Sequence, residues 1–107
     1  MSSKEMIFDL LDSSLANLGM VSINSLKNEI YRGKFSPSRR FEEYKAIFLE
    51  YEVLVESQQF SAVDEMESNI ASMKFFVVSG SHEDAARAVF DLQIMKGDIS
   101  FKMASPS

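Results

Sequence analysis

The fold prediction depends on residues 36–80, which read SPSRRFEEYKAIFLEYEVLVESQQFSAVDEMESNIASMKFFVVSG. Apolar residues recur in this stretch at alternating intervals of three and four residues, first as far as Val55 and then from Val63 onward. This spacing places their side chains on one face of a helix. Two such helices, at about 37–56 and 62–79 and joined by a short loop, are typical of an antiparallel helical hairpin.

Helix start and stop signals predict three further helices outside the hairpin. Each consists of apolar residues with helical spacing that follow a capping serine and end at a glycine, and they lie at about 2–19, 22–33 and 81–97. We therefore predict an all-α fold, a single-domain bundle of about five helices built on the central hairpin. The predicted helical domain covers residues 1–102, and residues 103–107 form a flexible C-terminal tail.

Three short segments are candidates for an extended conformation. Residues 73–78 (MKFFVV) are aromatic and β-branched, so a strand is the alternative to the end of the second hairpin helix. Residues 20–23 could also be extended instead of helical. Apolar and polar residues alternate from Ile99 to Met103, which predicts that this part of the tail is extended across the bundle.

The composition is that of one globular domain. The chain has 107 residues, 46% of them hydrophobic and 25% charged, which sets aside disordered and collagen-like classes. It has no cysteine, so a disulfide framework and a Cys-ligated zinc site are excluded. The net charge of −5 disfavours wholesale binding to DNA or to an anionic membrane. Acids at Glu5, Asp9 and Asp12 oppose a signal peptide, and we expect a cytoplasmic protein with no membrane partner.

The sequence carries no motif of a known catalytic site. The single histidine, His82, stands beside Glu83 and Asp84, where a general base or an incomplete metal site is conceivable. Neighbouring residues in the first turn of a helix point in different directions, and acids there complement the helix N-terminus, so a solvated cap is the simpler interpretation. We predict a non-enzyme with no metal and no cofactor.

Charge is distributed unevenly along the chain. Four bases within nine residues predict a site for an anion or an acidic partner: Arg32, Lys34, Arg39 and Arg40. Six acids without an intervening base predict an acidic tip of the hairpin, which repels nucleic acid or attracts a basic partner: Glu50, Glu52, Glu56, Asp64, Glu65 and Glu67. The alternative is that both groups are solvated loop ends that keep a small protein in solution.

The first hairpin helix carries more apolar surface than one contact requires. Its broad apolar face is explained by the hairpin, while Ala46, Leu49 and Val53 form a separate stripe on the other side. The first predicted helix of the same chain could cover this stripe. Otherwise the stripe predicts a partner-binding site for another protein or for a second copy of the chain.

These features favour a non-catalytic protein-protein interaction protein. We expect a small acidic helical adaptor, chaperone or inhibitor that binds a partner through the surplus apolar face, or a symmetric homodimer. The alternative is a nucleic-acid-binding regulator that resembles a helix-turn-helix protein only in arrangement and uses the basic segment 32–40. Its connection is longer than the usual turn and the overall charge is unfavourable. An enzyme is the least supported class.

Overall fold

A closed barrel of six antiparallel strands, with two helices at one end, forms the protein in the computed structural model, which describes residues 6–79 and 86–103. The elements in chain order are β1 Met6–Leu11, β2 Asn17–Lys27, β3 Ile30–Pro37, a short 3-10 helix Arg39–Phe41, α1 Glu42–Glu56, α2 Phe60–Met73, β4 Phe76–Ser79, β5 Arg87–Met95 and β6 Asp98–Met103. No helix in these described parts of the chain is long and apolar enough to cross a membrane.

The predicted all-α bundle is therefore wrong. Among the described residues, the first two expected helices are replaced by β1, β2, the start of β3 and the turns between them, and Arg87–Met95 of the expected fifth helix is β5. The glycines that suggested helix ends have another role. A side chain at Gly33 would place its Cβ 1.9 Å from the backbone oxygen of Ser22, because strands β2 and β3 approach each other closely there. Gly33 is a requirement of strand pairing rather than a helix end.

The two hairpin helices are present, although the second is shorter than expected. Helix α1 lies within the predicted range 37–56, and α2 ends at Met73 where the prediction continued to residue 79. Lys74 has a φ of 59°, which stops the helix, and Phe76–Ser79 then enters the barrel as β4. The strand considered as the alternative for residues 73–78 is confirmed for residues 76–78, because aromatic and β-branched residues suit a strand between two neighbours, whereas Met73 still belongs to α2.

The strand order around the barrel is β1-β2-β3-β6-β5-β4, and every neighbouring pair is antiparallel. The alternation at Ile99 and Phe101 corresponds to β6, a barrel strand between β3 and β5, rather than to a tail across a bundle. Met103 ends this strand, and the remainder of the predicted tail, 104–107, lies outside the described residues.

The helices close the barrel end that holds the β1–β2 turn and the β5–β6 turn. The Tyr44 hydroxyl of α1 donates a 2.9 Å hydrogen bond to Asp12 beside the first turn, and Glu56, at the other end of α1, lies 2.9 Å from Lys96 in the second. One core spans barrel and helices; its buried side chains are Leu10, Leu18, Val21, Ile23, Phe35, Phe41, Phe48, Tyr51, Val63, Ile70, Phe75, Val77, Val89, Leu92, Ile94, Ile99 and Phe101.

A chain of aromatic rings attaches the helices to the barrel. The ring of Phe35 on β3 lies 5.0 Å from Phe41, which lies 5.7 Å from Phe48 on α1. Phe48 in turn lies 5.9 Å from Phe75, the residue before β4. Such pairs add to the free energy gained from burial alone, so the orientation of α1 on the barrel is well determined.

Candidate functional site

Ala46, Leu49 and Val53 of α1, which we call the outer stripe, are exposed to solvent. Leu49 is 50% exposed and Val53 59%, whereas Phe48 and Tyr51 on the opposite face of the same helix are buried. The sequence left open whether another helix of the chain covers this stripe. Residues 6–37 form barrel strands and turns instead, and the stripe remains uncovered by the described residues.

Exposed acids border the outer stripe. Glu50 follows Ala46 by four residues and precedes Val53 by three, which are the spacings of neighbours on a helix surface. Glu42 and Glu56 extend the same side at the two ends of α1. We call Glu42, Glu50 and Glu56 the acidic rim. These three acids outnumber the one exposed base of α1, Lys45, so the outer face of α1 has an excess of negative charge, reduced near Glu56 by the 2.9 Å contact with Lys96.

A small apolar groove opens beside Leu49. It has a volume of about 130 Å³ and lies where α1 faces the end of β3 and the β5–β6 turn. Its lining residues are Phe35, Pro37, Phe41, Lys45, Phe48, Leu49, Ile94 and Gly97. The groove is open to solvent and is large enough for one apolar side chain of a partner.

The six acids predicted to form a tip do not form one cluster. Glu52 accepts a 3.2 Å hydrogen bond from the Lys96 backbone N–H, and Glu56 contacts the Lys96 ammonium. Glu67 accepts a 2.6 Å hydrogen bond from the Tyr51 hydroxyl. The remaining three, Glu50, Asp64 and Glu65, are exposed, the first on α1 and the others on α2. Half of the predicted tip is therefore engaged in intramolecular contacts.

The four predicted basic residues are divided between two elements. Arg32 and Lys34 lie on the outer side of β3, where Lys34 pairs with Asp98 of β6 at 2.5 Å. Arg39 and Arg40 are exposed on the 3-10 helix before α1.

A groove of about 470 Å³ beside β3 contains Arg32, Lys34 and Lys96, but it also contains Glu52, Glu56 and Asp98. Its mixed charge does not favour an anion. The helix-turn-helix arrangement expected around 32–40 is absent, because residues 22–33 lie in β2, β3 and the turn between them.

Asp12 fixes the start of α1 to the barrel. Its Oδ1 accepts hydrogen bonds from the backbone N–H groups of Ser14 and Ala16, at 2.9 and 3.0 Å, and its Oδ2 accepts the Tyr44 hydroxyl. Burial acts to raise the pKa of Asp12, but these hydrogen bonds and the positive charge of Arg40 outweigh it and hold the pKa below its ordinary value. Burial and, after it, the hydrogen bond to Asp12 raise the pKa of Tyr44. Asp12 is thus an anchor for the helix that carries the outer stripe.

A second cavity was not foreseen from the sequence. It has a volume of about 460 Å³, lies between α2 and β5, and contains Tyr51 and Glu67 at its polar end. The periodic pattern assigned Tyr51 to the hairpin contact and Glu67 to the acidic tip. Their hydrogen bond could have been predicted from the sequence, because the hairpin places a tyrosine and an acid on facing positions of two antiparallel helices.

His82, Glu83 and Asp84 lie outside the described residues. Within residues 6–79 and 86–103, no group of three or more histidine, cysteine or acidic side chains could hold a metal ion. No family model, curated protein or solved structure matches the chain.

Proposed function

We propose that the protein is a non-catalytic domain that binds another protein through the outer stripe of α1. The observation that carries this proposal is the exposure of Leu49 and Val53 on a helix whose other face is already packed against the barrel. Exposed apolar side chains grouped on one face, with a polar border, are the usual composition of a protein-binding surface. The groove beside Leu49 adds a place for an anchoring side chain.

The acidic rim indicates the charge of the partner. A partner that presents apolar side chains flanked by lysine or arginine would complement the outer stripe and the glutamates around it. A second copy of the chain would bring the two acidic rims together, and the chain already has a net charge of −5. A basic partner protein is therefore favoured over self-association. An adaptor, a chaperone and an inhibitor all act by covering a surface of another protein in this way.

Site-specific photo-crosslinking in the native cells tests the position of this surface. A photo-reactive amino acid at position 53 should capture one protein in defined yield, because Val53 lies in the contact. Leu26 is the matched control position, since it is 48% exposed and lies at the end of β2 that is remote from the helices. Equal capture at positions 53 and 26, or no capture at 53, would contradict the proposal.

The captured protein, once purified, permits a quantitative test by isothermal titration calorimetry. The exposed halves of Leu49 and Val53 together account for about 2 kcal/mol if they become buried, so replacing both by alanine should weaken binding about 30-fold. Leu26→Ala should leave the affinity unchanged. If Leu26→Ala weakens binding as much as the double variant, the contact lies elsewhere.

The charge of the partner has its own test. Glu50→Lys should weaken binding and reduce its dependence on salt, because it reverses one charge of the acidic rim. Glu29→Lys, on an exposed turn at the other end of the barrel, is the matched control.

Sedimentation equilibrium of the purified chain tests whether the partner is a second copy of the chain. A dimer that dissociates in the variant Leu49→Asp would contradict the basic partner and show that the outer stripe serves self-association. The cytoplasmic location expected from the sequence remains part of this proposal, and cell fractionation tests it.

A further inference from the structure

The cavity between α2 and β5 is a consequence of how the barrel closes. Strands β4 and β5 pair only at Phe76 with Ala88 and at Val77 with Arg87. Among the described residues, β5 has no strand neighbour on this side from Phe90 onward, and the helices cover the gap instead. Helix and strand cannot pack as closely here as two paired strands, so a cavity remains.

Most of the cavity wall is apolar. The apolar lining residues are Ile70, Ala71, Phe75, Phe76, Ala88, Val89, Phe90 and Leu92. The volume of about 460 Å³ falls within the range of cavities that bind small molecules in proteins. Phe90 is 52% exposed, so the cavity is accessible from solvent. This part of the wall fits a hydrocarbon or aromatic body.

The polar end of the cavity presents acceptors. The buried Tyr51 hydroxyl uses its only proton to bind Glu67 Oε2 at 2.6 Å, and the side chain of Gln93 also hydrogen-bonds this hydroxyl. The second oxygen of Glu67 and the carboxylate of Asp91 are the acidic groups left for a ligand. Asp91 is 3.8 Å from Lys102, with 72% of its side chain exposed, so it is only weakly paired.

The electrostatic potential at this end is negative. Burial is the largest cause that raises the pKa of Tyr51, followed by the hydrogen bond to Glu67 and the charges of Glu67 and Asp91. Two carboxylates thus act on the hydroxyl, and Lys74 is the one basic side chain among the described residues that line the cavity. The excess of acids selects against an anionic head group.

We propose that this cavity binds an amphiphilic organic cation, with its apolar body between α2 and β5 and its ammonium group at Glu67 and Asp91. The ammonium group donates hydrogen bonds to the two carboxylates, which Tyr51 cannot supply because its only proton is already used. The apolar body of the ligand covers the apolar wall of the cavity, which water otherwise contacts. The site is separate from the outer stripe, and ligand binding here does not depend on the proposed protein partner.

Three probes with the same ten-carbon chain separate the contribution of the apolar body to binding from that of the head group. They are decylammonium, decanol and decanoate, each below its aggregation concentration. Isothermal titration calorimetry should show one site for decylammonium, at least tenfold tighter than for decanol, with decanoate the weakest. Decanol binding as tightly as decylammonium would overturn the assigned head group, and so would tighter decanoate. Failure of all three to bind would overturn the cavity as a site.

Two pairs of variants locate the binding. Ala71→Trp fills the cavity and should weaken decylammonium at least tenfold, whereas Ser68→Trp, on the exposed side of the same helix, should not. Glu67→Gln should remove most of the preference for decylammonium over decanol, and Glu29→Gln should preserve it. Circular dichroism and urea midpoints establish that each variant is folded. If either control variant weakens binding as much as its counterpart, the cation binds the acidic surface rather than the cavity, and the proposal is wrong.

Discussion

Replacing Asp12 by alanine tests whether one buried carboxylate holds both the β1–β2 turn and the start of α1 in place. Asp12 is 8% exposed and accepts three hydrogen bonds, two from backbone N–H groups and one from Tyr44. At a net contribution of about 1 kcal/mol for each bond, the alanine variant should lose about 3 kcal/mol of unfolding free energy. Asparagine keeps one acceptor oxygen for the backbone groups, but it loses the charge and the second oxygen that accepts the Tyr44 hydroxyl, so we expect a loss of about 1 kcal/mol.

Urea unfolding followed by circular dichroism measures both losses. With a denaturant slope of about 2 kcal/mol per M, the midpoint should fall by about 1.5 M for Asp12→Ala and by about 0.5 M for Asp12→Asn. Asp64→Asn, an exposed acid on α2, controls for the change in net charge and should leave the midpoint almost unchanged. A shift below about 0.3 M for Asp12→Ala would refute the anchoring role.

The pH dependence supplies an independent check with a definite sign. The pKa of Asp12 in the folded protein lies below its ordinary value of 3.8. Its contribution is therefore fully present above that value and is lost as the pH falls through the folded pKa. The gap between the parent chain and Asp12→Asn should be constant from neutral pH down to about 5 and should close at lower pH. A gap that persists in strong acid would show that the carboxylate charge is not its cause.

Four further substitutions have expected outcomes that follow from local geometry. Tyr44→Phe should cost about 1 kcal/mol in urea unfolding and move the pKa of Asp12 toward its ordinary value in a carboxyl NMR titration. Gly33→Ala should cost about 3 kcal/mol because its Cβ would meet strand backbone, whereas Gly97→Ala, with a φ of +83° and free space around it, should cost about 1 kcal/mol. Tyr51→Phe should remove one of the two phenols, Tyr44 and Tyr51, that ionise above the ordinary pKa of 10.0 in an absorbance titration. The raised pKa of Tyr51 contributes stability that is fully present below that ordinary pKa and is lost as the pH rises through the folded pKa.

Helices α1 and α2 were predictable because their apolar residues recur with a single helical period over a long stretch of sequence. The buried positions of α1 and α2, such as Phe48, Tyr51, Val63 and Ile70, continue the same spacing over several turns. Few strands could produce so long a repeat with intervals of three and four. The same wheel placed the outer stripe opposite the packed face, but it left open whether another helix of the chain, solvent or a partner lies against the stripe.

The strands were not predictable from the same reasoning. Met6–Leu11 contains five apolar residues among six, a composition that satisfies a helix period and a strand period alike. Glycines added a false signal, because close approach of two strands and the end of a helix both favour a residue without a side chain. Only the pairing of strands decides between helix and strand for such segments. The paired residues can be far apart in the sequence, as Lys34 of β3 and Asp98 of β6 are. Local patterns do not report contacts of that kind.

The position of the helical hairpin in the chain accounts for both candidate sites. It is inserted between β3 and β4, so it must cross the open end of the barrel, and one face of α1 is used in doing so. The opposite face then has no partner in the described chain, which exposes the outer stripe. The hairpin also returns the chain through α2 to a short β4, and β5 consequently lies against a helix where a strand would have sealed it. The proposed protein-binding face and the proposed ligand cavity, on different helices, follow from one insertion, and substitutions at Leu49 and at Ala71 should therefore affect them separately.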